Sequence, residues 1–188
     1  MRVFLAGLIG GIAFFVWGAL SHMVLGLGDM GVRYGTPYPS TLAALKQDGG
    51  AGGLYILPTV SEDKMMNEAA QKALAAEAAG QGYAFIVYQP GGNPANADMG
   101  PTLGKQFATD FMSALVAAWL LSLGALSFSR RVLASAAMGV FAWLVVCVPY
   151  WNWYMFPLDY TFGLLGKYAI GWALAGAAMA WWLGRKQA

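Results

Sequence analysis

Four long apolar runs constrain the fold of this chain more than any other feature. They are residues 3–27, 107–128, 132–150 and 162–184. A helix needs roughly 20 mainly apolar residues to cross the hydrocarbon layer of a bilayer. Because lipid offers no hydrogen bonds to the backbone, a membrane-crossing segment is normally helical. The runs therefore predict an integral membrane α-helical protein built as a four-transmembrane-helix bundle.

The composition supports a membrane location. Apolar residues make up 59% of the chain and charged residues 11%, against about a quarter charged in soluble domains. A small soluble domain cannot bury so large an apolar excess, because much of its surface faces water. Membrane lipid is therefore the expected surrounding partner. The net charge of +2 does not suggest nucleic acid.

The first apolar run also has some features of a secretory signal peptide. Arg2 precedes it, and Ala19-Leu20-Ser21 loosely resembles a cleavage site. Its apolar core is longer than the roughly 7–15 residues of a signal peptide. We therefore expect an uncleaved transmembrane helix.

The basic residues predict the orientation. If the N-terminus is cytoplasmic, the short inner segments hold five basic residues and no acidic ones: Arg2, Arg130, Arg131, Arg185 and Lys186. Short cytoplasmic segments carry such an excess of arginine and lysine. We expect a multi-pass protein of the bacterial cytoplasmic (inner) membrane, with both termini in the cytoplasm.

The chain divides into three predicted parts. Residues 1–28 form the first transmembrane helix, and residues 106–188 form the other three. Between them, residues 29–105 are too long for a plain connection, since loops beyond about 15 residues usually carry structure or function. With this topology, residues 29–105 form an extracytoplasmic insert between helices one and two.

Sequence patterns within the insert predict a small α/β unit. Residues 40–50 and 61–80 have the pattern of helices, and residues 54–58 and 83–88 that of strands. The segment between the strands is long enough for a crossover, which permits a parallel pair in a right-handed unit.

Three ionisable side chains lie inside the predicted spans. His22, Asp110 and Lys167 each sit four or five residues from a predicted outer helix end, or roughly 6–8 Å below the boundary. Asn152 and Asp159 lie in the connection on the same side, so these five residues form a candidate polar cluster.

Two interpretations of this cluster remain open. In a proton-linked or ligand-binding site, His22 would titrate near neutrality, Asp110 would orient it, and Lys167 would hold an anion. In a structural interpretation, which we favour, Lys167 extends toward the headgroups, Asp110 serves the first turn of its helix, and His22 bonds a neighbouring helix.

No metal site or cofactor is expected. The chain has one histidine and one cysteine, fewer than the three or four ligands of a typical zinc site. His22 alone could offer an axial ligand to haem. Lipid and quinone are the candidates for contact with the aromatic segment described next.

The segment 149–161 predicts an aromatic outer hairpin. It contains six aromatic residues: Tyr150, Trp151, Trp153, Tyr154, Phe156 and Tyr160. Such residues collect at the headgroup level of membranes. Pro149 and Pro157 are predicted to end one helix and shape the turn before the next. The hairpin is a candidate surface for lipid or a partner protein.

Small residues follow one face of the first and last helices. They are Gly7, Gly11, Gly18, Gly171 and Ala175. Small side chains allow helix backbones to approach closely. This pattern suits packing within the bundle and packing against other copies equally well.

No catalytic motif is present in the sequence, which lacks a nucleophile elbow, a zinc motif and a dinucleotide fingerprint. The leading hypothesis is therefore a non-catalytic integral membrane subunit or scaffold. It would assemble with other membrane-protein subunits or with itself, through its helices and its extracytoplasmic insert. The alternatives are a small proton-linked transporter or channel that uses the polar cluster, and an accessory subunit of a redox complex that contacts quinone, lipid or haem.

Overall fold

The computed structural model describes residues 1–35, 38–47 and 50–185. Lys186, one of the basic residues predicted to be cytoplasmic, lies outside them. Residues 48–49 at the end of the predicted helix 40–50 do so too.

The described part of the chain is mostly helical. It contains α1 (Arg2–Met23), α2 (Tyr38–Gln47), β1 (Gly53–Leu57), α3 (Glu68–Glu77), β2 (Ala84–Tyr88), α4 (Gly100–Ser122), α5 (Phe128–Tyr154) and α6 (Leu158–Gly184). Three of these helices, α1, α5 and α6, are long and apolar enough to cross a membrane. They indicate an integral membrane protein, as the apolar runs predicted.

Helix α4 differs from the predicted span 107–128 at both ends. It begins at Gly100 and stops at Ser122. The new start adds a polar first half to the helix, and α4 is not among the three helices that meet the length and hydropathy requirements for a span. Ser127 then caps α5, because its Oγ accepts a hydrogen bond from the N–H of Arg130.

The four long helices belong to one compact unit, Met1–Arg33 with Asp98–Ala188. Within it, α1 packs against α4 and α6, and α6 also packs against α5. Contacts between α4 and α5 are sparse. The bundle is therefore open along its α4–α5 side.

Small residues allow α1 to approach both of its neighbours. A Cβ atom at Gly7 would lie 2.8 Å from Leu115 Cα, and one at Gly11 would lie 2.8 Å from Phe111 Cα. These pairs show that α1 and α4 are antiparallel. Two of the other predicted packing residues lie on α6: a Cβ at Gly171 would lie 2.5 Å from Trp17 Cδ1, and Ala175 is completely buried. Gly18, by contrast, faces open space, with nothing within 4 Å of a Cβ placed there.

Arg2 joins the beginning of α1 to the end of α6. Its guanidinium donates to the carbonyl oxygens of Leu183 and Arg185. Carbonyls in the last turn of a helix have no partner within the helix, and a cation there is favourable for the helix dipole. Arg185 in turn stacks over the ring of Trp181, 3.8 Å from its centroid.

The second compact unit, Tyr34–Ala97, contains α2, β1, α3 and β2. Its two strands pair antiparallel, from Gly53 opposite Tyr88 to Leu57 opposite Ala84, so the parallel pair that the sequence permitted does not form. The physical reason is burial, since parallel strands are normally covered on both faces. Most of β1 is exposed, which an antiparallel pair tolerates.

Helix α3 is shorter than the predicted helix 61–80. It begins at Glu68 after Asn67, whose side-chain oxygen accepts a hydrogen bond from the N–H of Ala70 at 3.0 Å. Glu68 and Lys72, one turn apart, form an exposed ion pair at 2.7 Å. Asn67, not Ser61, therefore sets the start of this helix.

The close approach of α1 to α4 generates a stability prediction. Replacing Gly11 by leucine should lower the free energy of unfolding by about 1–3 kcal/mol, because the new side chain meets the backbone of α4. The matched control is Gly18→Leu on the same helix, which points into open space. Thermal unfolding in mild detergent measures both variants. Equal melting temperatures for the two variants would contradict the role of Gly11.

Candidate functional site

The packing of α1 on α4 sets the depth of Asp110. Because Gly11 faces Phe111, Asp110 lies level with the middle of α1. His22 is eleven residues further along α1, a rise of about 16 Å. The prediction that His22 and Asp110 share one depth is therefore wrong. The reason is the early start of α4, which places ten residues, not four, before Asp110.

His22 has a different partner from the one expected. Its Nδ1 lies 3.9 Å from Oδ1 of Asp29, in the segment that follows α1. A Cβ at Gly28 would lie 2.5 Å from the same nitrogen, so the loop folds closely around the ring. His22 thus joins the end of α1 to its own connecting segment.

Asp110 is buried, with 6% of its surface exposed. One of its carboxylate oxygens accepts a hydrogen bond of 2.8 Å from the amide of Gln106, one turn earlier on α4. Its charge also interacts with Lys167 of α6. The structure therefore brings two members of the predicted cluster, Asp110 and Lys167, into the same region.

Lys167 is held by its backbone while its side chain remains unpaired. The indole N–H of Trp17 on α1 donates to the Lys167 carbonyl at 2.9 Å. Among the residues that the structure describes, the Lys167 ammonium has neither a hydrogen-bond acceptor nor an ion-pair partner. Its side chain lies half-buried in a groove.

This groove, called here the outer groove, lies between α5 and α6 and has a volume of about 280 Å³. Aromatic side chains form much of its wall: Tyr150, Phe156, Tyr160 and Tyr168. Val146, Cys147, Thr161 and Leu164 complete the lining beside Lys167. The lining therefore combines one lysine and three tyrosines with apolar side chains, the Cys147 thiol and the Thr161 hydroxyl, which donates to the Pro157 carbonyl.

The turn between α5 and α6 builds the upper wall of the outer groove. Pro149 does not end α5 as predicted; the helix continues through it to Tyr154. It stops where Met155 adopts a left-handed conformation, with φ of 55°, and the N–H groups of Met155 and Phe156 both donate to the Tyr150 carbonyl. This hydrogen-bonding pattern closes helices when the chain turns back sharply.

Aromatic contacts tie this turn together. The ring centroid of Phe156 lies 5.2 Å from that of Tyr150 and 5.7 Å from that of Tyr160. The ring centroid of Tyr154 lies 5.6 Å from that of Tyr150. Trp151 and Trp153 are exposed, as expected for residues at a membrane surface.

The remaining members of the predicted cluster lie outside the groove. Asn152 and Asp159 are both exposed. An oxygen of Asp159 accepts a hydrogen bond of 2.9 Å from the N–H of Tyr160 in the first turn of α6. Asp159 therefore stabilises a helix start.

Several groove residues were not singled out from the sequence as site residues. Tyr168, Thr161 and Cys147 belong to this set. A signal for Tyr168 was present, because residues 160, 164 and 168 recur at helical spacing on the face that holds Lys167. Trp143 was also missed; its indole N–H donates to the Thr161 carbonyl at 2.7 Å and joins α5 to α6.

A second feature is a polar stripe on α4. It comprises Thr102, Gln106, Thr109 and Ser113, all exposed and spaced by three or four residues. Since Phe111 and Leu115 face α1, this spacing places the stripe on the flank of α4 that turns away from α1. That flank borders the open α4–α5 side of the bundle.

Neither feature contains a metal centre. Among residues 1–35, 38–47 and 50–185, no group of three histidine, cysteine, aspartate or glutamate side chains is placed to hold a metal ion.

Comparison with protein families, curated proteins and solved structures gives no match for this chain.

The hydrogen bond between Trp17 and α6 generates a second stability prediction. Trp17→Phe keeps an aromatic ring but removes the donor to the Lys167 carbonyl, so it should lower the free energy of unfolding by about 0.5–1.5 kcal/mol. Trp119→Phe on the exposed face of α4 is the matched control and should change little. Chemical unfolding in detergent compares the two. A larger loss for Trp119→Phe would contradict the assigned role.

Proposed function

We propose that this chain is a non-catalytic integral membrane subunit of the bacterial inner membrane. Its four long helices cross the bilayer, and the exposed polar flank of α4 is covered by a helix of another subunit or of a second copy. The observation that carries this proposal is the polar stripe from Thr102 to Ser113.

The directions of the helices support α4 as the fourth span. Close pairs between α5 and α6, such as Gly139 beside Tyr168 and Gly176 beside Val132, make these helices antiparallel. Arg2 beside Leu183 makes α1 and α6 antiparallel as well. Since α1 and α5 then run in the same direction, the chain must cross back between them. Helix α4 is placed to do so, and its 23 residues give a length of about 34 Å.

The charges support the orientation. The start of α1, the start of α5 and the end of α6 lie at one end of the bundle, which therefore holds four described basic residues: Arg2, Arg130, Arg131 and Arg185. By the positive-inside rule this end faces the cytoplasm. Residues 29–105, which follow the opposite end of α1, are then extracytoplasmic.

The polar stripe on α4 supports a partner. A hydroxyl or amide that faces hydrocarbon loses its hydrogen bonds to water, so polar residues of membrane helices normally face other helices or a water-filled space. Gln106 bonds Asp110, and the Thr109 hydroxyl donates to the Gln106 carbonyl of its own helix. Ser113, deeper along the stripe, makes no side-chain hydrogen bond among the described residues, so a partner helix would satisfy it.

The glycine faces are less suitable as an external interface. Gly7, Gly11 and Gly171 are already occupied by neighbouring helices of the same chain. Because these glycine faces already contact helices of the same chain, we place the proposed partner on α4. The alternative of a proton-linked transporter is less favoured, because it relies on His22 and Asp110 acting together, and these lie about 16 Å apart along the bundle.

The topology can be tested with single cysteines in a Cys147→Ala background. Ala76→Cys on the exposed side of α3 should react with a membrane-impermeant maleimide in cells whose inner membrane is intact. Ser129→Cys at the start of α5 is the matched control and should react only after that membrane is permeabilised. The reverse pattern would contradict the proposed orientation.

The partner can be tested by site-specific photocrosslinking. A photoreactive amino acid at Ser113 should crosslink to protein, either to another subunit or to a second copy. The same group at Met112, which is exposed on a different face of α4, should crosslink mainly to lipid. Mass spectrometry of the crosslinked products identifies the partner. Lipid adducts alone at both positions, together with a monomeric native mass in mild detergent, would contradict the proposal.

A further inference from the structure

We propose that the outer groove binds the phosphate group of an anionic glycerophospholipid from the surrounding bilayer, with Lys167 as the charged contact. This inference goes beyond the proposed subunit function, because it concerns the α5–α6 groove and requires no partner on α4.

Four residues that line the outer groove carry hydrogen-bond donors for which the described residues supply no acceptor. These donors are the Lys167 ammonium and the hydroxyls of Tyr150, Tyr160 and Tyr168. Lysine offers three donors and no acceptor. Charge-assisted bonds from such groups to phosphate oxygens are among the stronger ones in proteins. The donors therefore match a phosphodiester.

Asp110 is not an ion-pair partner of Lys167. The two charges interact, but the two side chains form no ion pair, and the carboxylate accepts a hydrogen bond from Gln106 instead. An ammonium near the apolar layer without an anion in contact is unfavourable. A phosphate in the groove would supply the missing anion.

The walls of the groove favour a lipid over a soluble anion. Val146, Leu164 and Phe156 are apolar, and acyl chains can pack against such side chains. Val146 and Tyr150 are also 49% and 41% exposed on α5, one of the helices long and apolar enough to cross a membrane. A molecule that enters beside them comes from the bilayer.

The depth of Lys167 is compatible with a headgroup contact. It lies nine residues after the start of α6, a rise of about 14 Å. The long apolar stem of a lysine allows its ammonium to meet a headgroup phosphate from such a depth. Tyr160, two turns closer to the start of α6, lines the same groove.

The first test uses the wild-type protein alone. Native mass spectrometry in mild detergent measures binding of phosphatidylglycerol and of phosphatidylcholine with the same acyl chains. We expect one phosphatidylglycerol per chain, bound roughly tenfold or more tightly than phosphatidylcholine, because the choline cation of phosphatidylcholine neutralises its phosphate and opposes the Lys167 ammonium. Equal binding of the two lipids would overturn the proposal.

The second test removes the charge. Lys167→Gln should weaken phosphatidylglycerol binding by about tenfold or more, whereas Lys167→Arg should retain most of it. The matched control is Lys105→Gln, which removes an exposed lysine of α4 and should leave binding unchanged. Equal binding by wild type and Lys167→Gln would overturn the assignment. If Lys167→Gln does not fold, Tyr168→Phe replaces it, with an expected weakening of about two- to tenfold; unchanged binding by this variant would also overturn the assignment.

The third test separates a lipid from a soluble phosphate. Phosphatidylglycerol should raise the melting temperature of the protein in detergent, whereas glycerol 3-phosphate at the same concentration should not. An equal shift with both compounds would identify a soluble anion site and overturn the lipid assignment.

Discussion

Close contact between helix backbones holds together the unit that contains the four long helices, Met1–Arg33 with Asp98–Ala188. In lipid, burying apolar side chains between helices gains little, because the acyl chains are equally apolar; association depends on tight packing and on hydrogen bonds between helices. Gly7 and Gly11 bring α1 against the backbone of α4, and Gly139 brings α5 against the carbonyl of Tyr168. The indole donors of Trp17 and Trp143 add hydrogen bonds to carbonyls of α6. The depth of each polar group then follows from these contacts.

Much of the helical framework could be predicted from the sequence, because apolar length is a local property. Three of the four apolar runs form helices that are both long and apolar enough to cross a membrane. The start of α4 was missed because residues 100–106, which include Lys105 and Gln106, do not continue the apolar pattern. Pro149 was expected to stop α5, because proline removes a backbone donor and its ring crowds the preceding turn, yet the helix continues to Tyr154. In the smaller unit, the direction of strand pairing depends on burial, which sequence alone does not determine.

The candidate site was predicted only in part. Lys167 and the aromatic residues of the hairpin were recognised individually, since charge and aromatic residues stand out in an apolar sequence. Their meeting in one groove with Tyr168 depends on how α5 turns into α6. The prediction that His22 and Asp110 lie at the same depth in the bundle was wrong, because each depth was counted from a predicted helix end. A shift of a few residues at one end of a helix moves a side chain by the thickness of a headgroup layer.

The contact of Arg2 with the last turn of α6 has a consequence for assembly of the chain in the membrane. Synthesis proceeds from the N-terminus, so α1 leaves the ribosome long before the carbonyls that its arginine will meet. Until those carbonyls have been made, the guanidinium cannot form these two hydrogen bonds. The contact between the start of α1 and the end of α6 therefore forms late in biogenesis. It can form only after all the other long helices have been synthesised.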